Sequence, residues 1–139
     1  MTAPVRREVL VNAAPDRAFD LFVGRIGEWW PLARFSVFGD GTVNFERDVI
    51  VERKGDEQSV WGTVTAWSPP SEIGFTWHPG YGEEHATDVL VTFEAQGDQT
   101  LVTLVHTGWE RMTDPDASAE EYRNGWPGVL GGYADLVNS

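Results

Sequence analysis

The chain has 139 residues, no cysteine, and 10 Lys and Arg against 22 Asp and Glu, for a net charge of −12. That length suits one domain with a sizeable core. The charge repels phosphate backbones and anionic bilayers and so disfavours non-specific nucleic-acid and membrane binding, while the lack of cysteine excludes disulfides, thiolate metal sites and cysteine nucleophiles. No run of about 18 apolar residues is present, so no membrane span is expected. Residues 1–7 carry no apolar h-region, so no secretory leader is expected either. A soluble, cytoplasmic protein is the plain expectation.

Val5–Val11 reads as a first strand. Ala14-Pro15-Asp16 then opens a helix, with Pro15 at an early position where its missing N–H costs nothing. Ala18, Phe19, Leu21, Phe22 and Val23 make that helix amphipathic, and Gly24 and Gly27 interrupt it. A second short helical turn is expected over 27–30, ended by Pro31.

From Thr42 the hydrophobic period becomes two. Thr42–Glu46, Val49–Lys54, 59–67, 72–78, 86–95 and 100–107 read as strands separated by short turn signals, among them Gly39-Asp40-Gly41, Ser68-Pro69-Pro70 and the loop 79–82. Turns this short enforce an antiparallel meander, because parallel crossovers need a dozen or more residues. Ser118-x-x-Glu121 fits a capping box for a long last helix, on which Tyr122, Trp126, Val129, Tyr133 and Leu136 form one stripe. Pro127, between Gly125 and Gly128, removes one backbone bond of that helix and predicts a kink beside Trp126. A curved sheet covered by a single helix leaves unfilled space, which is a natural pocket.

Candidate chemistry is sparse. Thr100, Val102, Leu104 and His106 share one parity, so His106 points where the apolar residues point. It reads either as a polar or acid–base group in a cavity or as a structural histidine tying the last strand to the Gly108-Trp109 turn. No Ser-His-Asp or Cys-His arrangement accompanies it. His78 and His85 bracket a loop carrying Glu83 and Glu84. Zinc is conceivable there, but a solvated loop at a cavity rim is the better reading. Glu46, Arg47, Asp48, Glu52, Arg53 and Lys54 read mostly as a solvated convex face, with Asn44, Glu46 and Asp48 outside. One or two of these charges could enter the interior as buried groups needing partners. Trp61 and Trp67 share a parity and could cover the outer face. Gly39-x-Gly41 lacks the strand-to-helix context of a phosphate loop.

The order of these motifs resembles the START-related, birch-pollen-allergen-like helix-grip superfamily (SRPBCC), in its AHSA-type branch, named after the C-terminal domain of the heat-shock protein 90 ATPase activator. The carrying residues are Ala14-Pro15, Trp29-Trp30-Pro31, Trp61-Gly62-x-Val64 with Pro69-Pro70, and Phe75-Thr76-Trp77-His78. Thr100-x-Val102-x-Leu104-x-His106-x-Gly108-Trp109 and Gly125-Trp126-x-x-x-Leu130 complete the set. The resemblance implies one domain over 1–139. It implies an α+β helix-grip fold: a curved seven-stranded antiparallel sheet wrapped around a long C-terminal helix, with two short helices between strands one and two. It also admits several functions, because a fold hosts sites without dictating them.

The expected function is binding of a hydrophobic or aromatic small molecule in a cavity between sheet and C-terminal helix. The expected lining is Trp30, Phe45, Phe75, Trp77, Val91, Leu104, His106, Trp126 and Leu130. The alternatives are a co-chaperone-like interaction domain with a chaperone as partner, and, ranked last, a cyclase or hydrolase using His106. No metal and no cofactor are expected, and the chain is read as a monomer or homodimer.

Overall fold

The computed structural model describes residues 2–30, 42–46, 48–78 and 83–138. The expected helix stop at Pro31, the Gly39–Gly41 turn and the loop 79–82 lie outside them. Strand β1 (Val5–Val11) is followed by α1 (Pro15–Gly24) and α2 (Ile26–Trp29). Strands β2 (Thr42–Glu46), β3 (Val49–Lys54), β4 (Glu57–Ser68), β5 (Glu72–Trp77), β6 (Thr87–Gln96) and β7 (Gln99–Thr107) then run as a meander. Helix α3 (Pro115–Asn138) closes the chain. The seven strands form one antiparallel sheet in the order β1-β7-β6-β5-β4-β3-β2. Helix α3 packs against β1, while α1 and α2 sit on the same inner side toward β6 and β2. This is the helix-grip arrangement.

The expected capping box is displaced. Helix α3 begins three residues before Ser118, because Asp114 takes the Ala117 N–H on its Oδ1 at 3.2 Å and Pro115 occupies the first helical position. Asp is as good a cap as Ser, and Pro at that position is pre-set for a helix. The stripe facing the sheet is Ala119, Trp126, Val129, Leu130, Tyr133 and Val137, with Tyr122 and Leu136 at its margins.

Pro127 has a partner across the domain. It has no N–H to return to the carbonyl of Arg123, four residues earlier. The Arg7 guanidinium of β1 donates to that carbonyl from Nη2 at 2.9 Å. Arg7 sits opposite Leu104 in the β1–β7 register, so a cation points into the sheet–helix seam to satisfy a carbonyl that the helix cannot.

Strand β4 breaks the simple alternation twice. Gly62 faces Ile50 and Val60 faces Val51, so Trp61 is an extra residue against β3. Val64 faces Phe75 and Ala66 faces Gly74, so Thr65 is an extra residue against β5. Each bulge reverses the faces of the residues beyond it. Trp61, Val64 and Trp67 consequently all turn toward the inner face. Trp61 is fully buried, and Trp67 packs edge-on against Phe19 of α1 at 5.3 Å. The outward placement of Trp61 and Trp67 is thereby corrected. Gly62 belongs to the first bulge: a Cβ there would lie 1.7 Å from the Thr76 carbonyl oxygen.

The other charged residues divide. Asn44 is exposed, and Glu46 is outside, where Arg53 grips both its oxygens at 2.6 and 2.9 Å. Glu52, opposite Val43, is fully buried on the inner face. It is the buried charge that the sequence allowed for.

Two outcomes are expected. Gly62→Ala should lower unfolding free energy by more than about 3 kcal/mol in urea titration, whereas Gly128→Ala, which meets nothing within 4 Å, should gain up to about 1 kcal/mol. A double-mutant cycle between Arg7→Met and Pro127→Ala should show coupling of about 1 kcal/mol, because replacing the proline by alanine returns an N–H to the Arg123 carbonyl and makes Arg7 dispensable.

Candidate functional site

The interior is a chain of ring contacts. It starts at Trp67 and passes through Phe19, Phe93, Phe22 and Trp29 to Trp30. Trp30 touches Trp61, Trp77 and Trp126 at centroid distances of 5.2, 5.4 and 6.0 Å. Trp126 leads on to Tyr122, His106 and Trp109. All seven tryptophans take part. Each buried ring removes about 150–250 Å² from water by general rule, some 4–6 kcal/mol of transfer free energy before chain entropy is subtracted.

His106 lies at one end of this chain and is fully buried. Its environment fixes its tautomer. The Trp126 indole, a donor without lone pairs, gives its Nε1–H to His106 Nδ1 at 3.1 Å. Thr87 gives its hydroxyl proton to the Trp77 carbonyl at 3.1 Å, so its oxygen must accept from His106 Nε2–H, 2.6 Å away. The relay runs from Trp126 through His106 and Thr87 to Trp77, spanning α3, β7, β6 and β5. The His106 carbonyl takes the Trp109 Nε1–H at 3.1 Å, and the two rings lie 4.1 Å apart.

Every polar atom of the imidazole is thus engaged. Burial holds its pKa down at about 3. A general base needs a free lone pair, and the one on Nδ1 is occupied by the indole. The geometry favours the structural reading of His106: it ties β7 to the turn at Trp109–Arg111 and to α3.

The nine expected lining residues separate into two groups. Trp30, Phe75, Trp77, Val91, Leu104, His106, Trp126 and Leu130 are all 8% exposed or less. Where a cavity beneath α3 was expected, the rings of Trp30, Trp61, Trp77 and Trp126 touch one another. Of the nine, Phe45 borders the recess that the described residues form.

That space is a recess of about 360 Å³ at the other end of the ring chain, lined by Val23, Phe45, Asp48, Val64 and Trp67. Helix α1, the edge strand β2, the β2–β3 turn and the twice-bulged β4 supply its walls. Trp67 is 53% exposed, and Phe45 packs edge-on against Phe75 at 5.8 Å. Asp48 lies in the turn and is exposed, outside as its strand parity suggested, at the edge of the recess. Its backbone carbonyl accepts the Val64 N–H at 2.7 Å, which folds the turn onto β4.

Val23, Asp48, Val64 and Trp67 escaped the sequence reading. The one signal that could have found them is Trp61-Gly62-x-Val64, a glycine inside a strand pattern that marks a bulge. His85 serves the fold: its Nδ1 lies 3.0 Å from the Arg111 carbonyl, and Arg111 itself pairs with Asp88 at 2.7 Å.

The family model described as "Activator of Hsp90 ATPase homolog 1-like protein" matches residues 12–137. Nothing among curated proteins matches the chain in sequence. Solved structures share its fold. The Aha1 dimer from Colwellia psychrerythraea aligns at 16% identity and TM-score 0.72, over 99% of this chain and 97% of that one. The anthrahydroquino-γ-pyrone synthase Txn09 aligns at 25% identity and TM-score 0.68, over 98% and 97%. The self-sacrificing resistance protein CalC from Micromonospora echinospora aligns at 24% identity and TM-score 0.65, over 96% and 93%.

The neutral imidazole gives a pH signature. The unfolded histidine titrates near pH 6.5 and the folded one near pH 3, so the unfolded chain binds more protons between those values. The stability His106 confers is complete above about pH 6.5 and falls by about 1.4 kcal/mol per unit as pH drops toward 3. At about pH 5, nitrogen NMR should still show a neutral ring protonated on Nε2; an imidazolium there would contradict the relay.

Proposed function

We propose that this chain, which belongs to the activator of Hsp90 ATPase homolog 1-like family, binds a flat, largely apolar small molecule in the recess beside Trp67. The observation that carries the reading is the half-exposed Trp67 indole, standing with Phe45, Val23 and Val64 around about 360 Å³ of open space. Ligand sites are commonly concave, mainly apolar and of about this size, with a few polar groups for orientation. An exposed tryptophan loses free energy in water that a stacked ligand would recover. The 25%-identical Txn09, whose name gives a fused aromatic pyrone as its product, supports a flat ligand.

This places the ligand nearer α1 and β4 than the cavity under α3 that the sequence suggested. In that seam Trp30, Trp61, Trp77 and Trp126 are buried and in ring contact. The described residues of the recess walls include no hydroxyl, thiol or histidine, so binding is a better account of this site than turnover. Docking to a chaperone is the second reading, favoured by the family match alone. No helix among the described residues is long and apolar enough to cross a membrane, and a cysteine-free acidic chain suits the cytoplasm.

A thermal-shift screen of flat aromatic compounds tests the reading. A ligand at 100 times its Kd should add about 2.7 kcal/mol of stability. Binding should quench tryptophan emission, and Trp67→Phe should remove that quench, because the six other tryptophans are 8% exposed or less. Trp67→Ala should weaken affinity by about fivefold or more, through lost stacking worth about 1 kcal/mol or more. A screen without a shift, combined with capture of the chaperone by the purified chain, would replace this reading with the second.

A further inference from the structure

We propose that the recess prefers aromatic cations, such as arylalkyl ammonium or quaternary ammonium compounds, with Asp48 as the counter-ion. This rests on the recess being the binding site, and it names the ligand class. Among the described residues lining the recess, Asp48 is the one titratable group; the rest are Val23, Phe45, Val64 and Trp67. The two carboxylates nearest in sequence contrast with it. Glu46 is held at both oxygens by Arg53, on the outer face. Glu52 is fully buried on the inner face. The Asp48 carboxylate has no ion pair or hydrogen bond among the described residues, and its position is held by the backbone bond from the Val64 N–H to the Asp48 carbonyl.

An acidic residue that shares a recess with two aromatic residues suits a cation on three counts. The ring faces of Trp67 and Phe45 carry negative quadrupole potential and attract an ammonium group. A neutral ligand filling the recess would strip water from Asp48 and give nothing back, whereas a cation supplies the opposite charge. An anion would meet the carboxylate directly, on a chain whose net charge is already −12.

Three probes of one shape separate the contributions: 1-naphthylmethylammonium, 1-naphthylmethanol and 1-naphthoate, titrated calorimetrically against the full chain. The ammonium should bind about tenfold or more tighter than the alcohol, and the naphthoate weaker than both. Asp48→Asn should bring the ammonium down to the affinity of the alcohol. Asp98→Asn, which removes the same charge from the exposed β6–β7 turn, should leave the preference in place. Equal affinity for ammonium and alcohol would overturn the cation preference and leave binding in the recess standing. An equal loss in both Asn variants would also overturn it, by assigning the preference to net charge. Failure of all three probes, with no response of Trp67 emission, would count against the recess as a site altogether.

Discussion

The relay through His106 holds the domain in register. Three hydrogen bonds connect the last helix to three neighbouring strands, and they can coexist only around a neutral imidazole protonated on Nε2. Trp126 supplies a donor that cannot be turned into an acceptor, and the Trp77 carbonyl an acceptor that cannot be turned into a donor. Between them, Thr87 and His106 have one arrangement of protons that satisfies every atom. A buried network closed in this way specifies a single packing, since any shift of α3 would strand an indole N–H and an imidazole lone pair. The packing of Tyr122, Trp109 and Trp126 around the imidazole follows from where that ring is pinned.

From this pin the aromatic rings propagate packing to the far end of the domain. Around Trp30, Trp61, Trp77 and Trp126 they meet and fill the seam between sheet and helix. Beyond Phe19 the succession ends at Trp67, which among the described residues has no further ring partner and borders the recess. The same residue type therefore does two jobs according to position: rings that meet rings make a core, and the ring at the end of the row makes a wall. The two bulges of β4 decide where that end falls. Without them Trp61, Val64 and Trp67 could not share one face.

Arg7 and Pro127 show the same economy at the seam. A proline inside a helix frees one carbonyl, and the facing strand brings a guanidinium to it. The helix continues unbroken past Trp126 and Pro127 to Asn138, and its attachment to β1 gains a polar anchor. The buried hydrogen-bond relay and the open recess are thus spatially separated. The closed polar networks lie under α3, and Asp48, whose carboxylate has no partner among the described residues, lies in the β2–β3 turn at the rim of the recess.

The order of elements, the antiparallel meander and the inward parity of Thr100, Val102, Leu104 and His106 were legible in the chain, because each depends on local periodicity and on turns too short for any crossover. The family resemblance was legible for the same reason. Sequence alone could not place Trp61, Val64 and Trp67, since a bulge is defined against a partner strand and reverses every residue after it. Nor could it choose between the two readings of His106: an imidazole is a base or a strut according to what occupies its lone pair, and Trp126 stands 20 residues away. The open recess beside Trp67 was not legible either, because ring size and number are written in the composition, whereas which rings touch depends on how strands and helices close around one another.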